Sequence, residues 1–244
     1  MKSLLILTLL LSALMAEKLT IGAGPYVQSQ PYKDADAIVV PSPVIFYDNS
    51  LVYVRWTRAG IYFLGDKNDD LSWGFSLTAQ PRVNQYKASD SSYLTGMSDK
   101  ESSIEGGLAF SASKEKAYFE VMALTDMLRN HEAWVLNSEL GYKLEVGKLS
   151  IYPSLLLTYQ SAKFMDYYYG VKSYEATASR AYYSPSSGFQ VGAQAYFNYP
   201  LTEKVAVFAN LRADKLSTEA TDSSIVNEDY IYSGLVSLIY TFEL

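Results

Sequence analysis

The chain has 244 residues with no Cys, one His and a formal charge of −6 from 20 basic and 26 acidic side chains. This composition excludes thiol catalysis, disulfides, zinc–thiolate and iron–sulfur sites, lipid attachment through an N-terminal Cys, and any metal site built from several His. Scattered Lys and Arg in an acidic chain exclude the clustered basic surface that nucleic acid needs, and 22 Tyr with 10 Phe and 3 Trp call for an aromatic core or for rings at a membrane interface.

Met1-Lys2-Ser3 is a short basic start, followed by an apolar run from Leu4 to Leu14 and by Met15-Ala16 before Glu17-Lys18. That order of basic, apolar and small residues is a secretory signal peptide over residues 1–16, with cleavage expected after Ala16. Beyond it no stretch approaches the ~18 continuous apolar residues of a membrane-spanning helix. Residues 17–244 are therefore either soluble and exported, or cross a membrane as strands.

Residues 19–26 and 39–47 read as strands, the second weakened by Pro41 and Pro43, which cannot donate to a ladder. Residues 51–57 and 60–64 read as a shorter pair joined by a tight connection near Arg58. From Leu71 onward the period is two. Leu71, Trp73, Phe75 and Leu77 oppose Ser72, Gly74, Ser76 and Thr78; Ile104, Gly106, Leu108 and Phe110 oppose Glu105, Gly107, Ala109 and Ser111. Further strands start near Ala117, Trp134, Leu149, Phe189 and Val205. The last is the clearest, with Tyr230, Tyr232, Gly234, Val236, Leu238, Tyr240, Phe242 and Leu244 on one face.

These eight regular strands are each about ten residues long, the length of a tilted membrane strand and nearly twice that of a soluble one. With the four earlier segments they predict an all-β fold, a transmembrane antiparallel up-and-down β-barrel of about 12 strands, or ten if the short pair is not a full hairpin. A soluble β-sandwich would also alternate, but would hide both apolar faces in one core. Connections alternate in length. Residues 48–50, 66–70, 113–115, 145–148 and 200–203 form short polar turns, whereas residues 28–37, 85–102, 161–187 and 217–229 form longer loops. Short periplasmic turns and long outer loops are the rule for outer-membrane barrels. The connections near Arg58 and His131 break it as tight outer connections.

Arg55, Glu105, Glu120, Glu139, Lys143, Arg212 and Asp214 fall on the interior face. They read either as a weakly selective polar channel or as a salt-bridged interior with a narrow or occluded lumen, the second being favoured. His131, within Arg129-Asn130-His131-Glu132 and near Asp126, is the sole candidate for acid–base work. No motif places a Ser or second acid beside it, so no catalytic, cofactor or metal residue is assigned and no enzyme is expected. Asp90, Asp99, Glu101 and Asp222 are scattered loop acids without a calcium-loop pattern. Tyr167, Tyr168, Tyr169, Tyr174, Tyr182 and Tyr183 lie on the longest outer loop, where they either bind a surface ligand or fold into the barrel mouth.

Several motifs carry a resemblance. Tyr167-Tyr168-Tyr169-Gly170-Val171 followed by Ala181-Tyr182-Tyr183-Ser184-Pro185-Ser186-Ser187-Gly188 resembles a paired motif of the MltA-interacting protein (MipA/OmpV) family. Asp222-Ser223-Ser224-Ile225-Val226 resembles that family's segment before the final strand, with Ser224 where Pro is usual. Pro41-Ser42-Pro43 leading to Tyr47, and Gly22-Ala23-Gly24-Pro25-Tyr26, resemble its first two strands; Glu243-Leu244 after Phe242 departs from its usual aromatic end. The resemblance implies an outer-membrane location. It also implies a non-enzymatic scaffold or surface-contact role, with a periplasmic murein synthase and a lytic transglycosylase as partners besides the membrane lipid. A narrow channel for small solutes is the alternative, and an outer-membrane hydrolase the third possibility.

Overall fold

Strict alternation places one side chain in two against lipid, and the strands that result close on themselves. The computed structural model describes residues 18–68, 71–83 and 86–244, so the expected leader at residues 1–16 lies outside the described residues. The strands are β1 (Lys18–Gln28), β2 (Ile38–Asp48), β3 (Val52–Trp56), β4 (Arg58–Lys67), β5 (Ser72–Arg82), β6 (Ser103–Lys114), β7 (Ala117–Asp126), β8 (Trp134–Tyr142, resumed as Leu144–Val146), β9 (Leu149–Gln160), β10 (Gly188–Pro200), β11 (Val205–Lys215) and β12 (Tyr230–Glu243). Each pairs antiparallel with its neighbours in the chain, and β12 returns to β1, giving the expected closed barrel of twelve strands. At that seam the backbones meet closely: a Cβ on Gly24 would stand 1.9 Å from the Val236 carbonyl oxygen. Among the described residues no helix is long and apolar enough to cross a membrane.

The outer surface is the expected apolar band. Leu108, Leu140, Leu155, Val236 and Leu238 are all exposed, as a lipid-facing wall requires. Aromatic rings gather at its two rims. Trp134, Tyr159 and Phe189 touch across three strands at one end, with centroids 5.0 and 5.1 Å apart. Tyr240 and Phe242, 4.6 Å apart, mark the other end on β12. This explains much of the Tyr content: amphipathic rings favour the membrane–water boundary.

β2 runs its full length despite its prolines. Pro41 pairs with Pro25 of β1, and neither has an N–H, so this pair exchanges no ladder bonds and both nitrogens point to the far sides of their strands. β8 breaks at Lys143 because the facing residues on β9 include Pro153; the register is the same on both sides of the break. Lys143 keeps the face of Glu139 but sits at the turn end of the barrel, its ammonium 2.9 Å from Glu145, while its backbone N–H donates to the Lys116 carbonyl at 2.7 Å. The short pair is a true hairpin, but Trp56 and Thr57 turn part-way up the wall rather than at the outer rim.

Candidate functional site: the lumen and its outer cap

Inward positions build a chamber of two characters. One side is ionic. Arg58, at the start of β4, meets the Glu120 carboxylate of β7 through two N–H groups, one of them at 2.8 Å. Arg55 of β3 reaches the same carboxylate at 3.4 Å, Asp48 at 3.2 Å and the Tyr62 hydroxyl at 2.5 Å. Higher up, Arg82 forks onto Glu105, whose side chain is only 1% exposed. Arg212 forks onto Asp214 of its own strand at 2.6 and 2.8 Å. Glu139 accepts from Tyr118 at 3.1 Å and from Gln194 at 2.9 Å. Six of the seven expected charges surround the chamber: five are in ion pairs and Glu139 is held by neutral donors, which is how charge is retained in a partly desolvated interior.

An aromatic patch lies on β1, β2, β3, β10 and β11. Phe46 packs edge-on against Phe208 with centroids 5.1 Å apart, and Tyr196 stacks on Phe208 at 6.0 Å. Trp56 lies 5.9 Å from Tyr26 and 6.3 Å from Phe208, and its indole N–H donates to Ser42 Oγ at 2.9 Å. Val44, Leu235 and Ile239 are buried with them. Sequence reasoning missed this patch, although the signal was present as aromatic residues on the mixed faces of β2, β10 and β11.

Between these walls runs a cavity of about 1550 Å³. At one end it is lined by the short turns, including Ser50, Asp66 and Thr202; at the other it stops at Arg82, Gln160, Gln190 and Asp214. The long loops contribute none of its lining beyond Val83. They have folded over the mouth instead. Tyr32, Tyr86, Leu94, Phe164, Met165, Tyr168, Tyr169, Val171, Ile225 and Val226, drawn from the four long loops, form one buried cluster. Thus Tyr168 and Tyr169 fold into the mouth, on helix α1 (Ala162–Tyr169), whereas Tyr174 and Tyr182 stay exposed.

Polar locks tie these loops together. The Arg180 guanidinium donates to the carbonyls of Glu175 and Thr95, and to that of Tyr93 at 2.5 Å. Glu175 accepts the backbone N–H groups of Ser98 at 2.8 Å and Lys172 at 2.9 Å. Burial raises the Glu175 pKa, but those N–H groups outweigh it and hold the carboxyl below its ordinary 4.5. Ser223 donates to the Tyr169 carbonyl at 2.6 Å. The loop acids do not converge. Asp90 and Asp99 accept loop N–H groups at 2.8 Å, and among the described residues no group of three metal-ligating side chains occurs.

His131 is buried under α1, with its ring centroid 5.4 to 5.7 Å from Phe164, Tyr167 and Tyr168. Nδ1 accepts the Ala133 N–H at 3.2 Å, and Asp126 is spent on the backbone of Leu128 and His131 and on Ser103. Burial holds the imidazole pKa below 6.5, and the nearby Asp126 offsets this only in part. These are contacts that fix a loop.

The sequence profile described as MltA-interacting protein MipA matches residues 21–242. The chain belongs to this family. It is 29% identical to the MltA-interacting protein of Escherichia coli (strain K12) over 229 residues, which cover 93% of this chain and 90% of that one. It is 23% identical to outer membrane protein OmpV of Vibrio cholerae over 68% of this chain and 63% of that one. Among solved structures, an outer membrane channel from Pseudomonas putida F1 aligns over 93% of this chain and 96% of its own, at 11% identity and a TM-score of 0.47. Membership places this MipA-family barrel in the outer membrane, as the sequence resemblance implies. In outer-membrane barrels the short turns face the periplasm and the long loops face outward.

Proposed function

We propose that this barrel is a non-enzymatic outer-membrane anchor whose periplasmic rim receives a murein-remodelling enzyme of the lytic transglycosylase class, with a murein synthase as a further partner. The observation that carries the reading is the asymmetry of the lumen: capped toward the outside by four interlocked loops, and open toward the periplasm between the short turns. A barrel so arranged offers a partner only its periplasmic face. The name of the Escherichia coli relative, MltA-interacting protein, supports the class of partner. A photo-crosslinking amino acid at Ser50 or Thr202 tests this in intact envelopes, with Tyr174 and Tyr182 as outer controls. Lytic transglycosylase should be captured from the two turn positions and not from the loop positions. Capture from the loops alone, or from neither set, would contradict the proposal.

A narrow channel for small solutes is the second reading. The size of the chamber supports it, and it requires the cap to move.

A further inference from the structure

The barrel wall has an opening. β2 pairs with β1 from Thr20↔Phe46 up to Gln28↔Ile38, but with β3 only at residues 45–48. β5 pairs with β6 as far as Arg82, but with β4 only up to Ala79. Because the β3–β4 hairpin turns at Trp56 and Thr57, residues 38–44 of β2 and 80–82 of β5 face each other with no strand between them. Two strand positions are vacant there, so the backbones flanking the hairpin tip stand about 14 Å apart, three strand spacings. At the top the gap closes where Gln28 Nε2 donates to the Val83 carbonyl at 3.0 Å.

The edges of this gap are prepared for it. As argued above, Pro41 turns its nitrogen away from β1 and so toward the gap, and Pro43, two residues on, does the same. Pro81 pairs with Ile104, whose carbonyl accepts the Met127 N–H on the β7 side; the Pro81 nitrogen therefore also points into the gap. Three missing donors lie on the two edges that have no partner, the places where a sheet tolerates proline. The hairpin tip is unusual as well. Its two-residue turn places Trp56 at φ 60°, a left-handed conformation that bulky residues rarely adopt, and thereby aims the indole across the gap onto Ser42.

Just inside the opening lies the aromatic patch of Tyr26, Phe46, Trp56 and Phe208, an apolar surface in a chamber whose lining elsewhere includes ion pairs, amides and hydroxyls. Just outside, at membrane depth, are acyl chains, met by the exposed Val39, Pro41, Pro43 and Pro81. We propose that this gap is a lateral window through which the acyl chain of an outer-leaflet lipid enters the lumen and lies on the aromatic patch, with the Trp56–Ser42 hydrogen bond as its latch. The window does not rest on the scaffold reading and holds whichever partner binds below.

Replacing Trp73 and Trp134 by Phe makes Trp56 the sole tryptophan. In phosphatidylcholine vesicles brominated in mid-chain, Trp56 should lose as much emission as lipid-facing Trp134 does in the reverse variant. The reference for a continuous wall is Asn137→Trp in a chain otherwise free of tryptophan, since Asn137 lines the lumen and its strand is paired on both sides. A second reporter uses the absence of native Cys: a nitroxide on Val40→Cys should be relaxed more by oxygen than by a water-soluble nickel chelate. The proposal is overturned if Trp56 is quenched no more than Asn137→Trp, or if the label at residue 40 responds mainly to the nickel chelate.

Discussion

Glu105 illustrates what the lumen demands of a charged side chain. It is almost wholly buried and its carboxylate is held by the Arg82 fork, while the Arg82 guanidinium lies 5.0 Å from the Phe164 ring of the cap. Removing one partner leaves the other buried and unpaired, which costs far more than the pair contributes. Glu105→Gln should lower unfolding stability by about 3 kcal/mol in urea titrations in lipid, and Arg82→Met in addition should restore part of the loss. His131 makes a different prediction. Its folded pKa lies below 6.5, so the opened loop binds a proton more readily than the closed cap does. Cap stability is then complete above about pH 6.5 and falls as the pH drops below it. Hydrogen exchange of the cap, corrected for intrinsic rates, should rise on acidification through that range, and His131→Asn should flatten the dependence. The sequence placed Glu105, Glu120 and Arg212 on the inner face because period two assigns faces without knowing partners. It could not show that His131 is buried or that Arg180 locks two loops, because those facts depend on where loops distant in sequence come to rest.

At the scale of elements, strands are local and were readable; the way they end is not. All eight long strands appear within a few residues of their expected bounds, since each carries its own alternation. Alternation carries Lys143 on the inner face past the break opposite Pro153, but it does not show that Lys143 lies at the turn end, beside Glu145. The β3–β4 hairpin reads as short from the sequence, but only the register reveals that it stops inside the wall. The face assignment has a direct test on β11. Val207 points outward, whereas Ala206 lines the lumen and packs against the Phe208 cluster. Val207→Arg should cost roughly 2–4 kcal/mol in a lipid refolding equilibrium. Ala206→Arg should cost less, because the guanidinium can extend into the chamber. Its immediate neighbours are aromatic, so the guanidinium stacks on Phe208.

At the scale of the molecule, the barrel is a cup. Its wall follows from alternation and its closure from the β1–β12 seam, while its lid is built from loops whose apolar residues form a core of their own. Length and composition of the loop at residues 161–187 marked it as a place of interest; its inward fold follows from the apolar face of α1, which buries Phe164, Met165, Tyr168 and Tyr169. The lumen is accordingly occluded at the outer mouth but not narrow below it. The central claim, a chamber capped outside and open to the periplasm, is tested most directly by single-channel recording in planar bilayers. The intact barrel should show no steady conductance, and replacing residues 162–187 by a short glycine–serine turn should open one whose ion preference changes with Glu105→Lys. Steady conductance through the intact barrel would contradict the account.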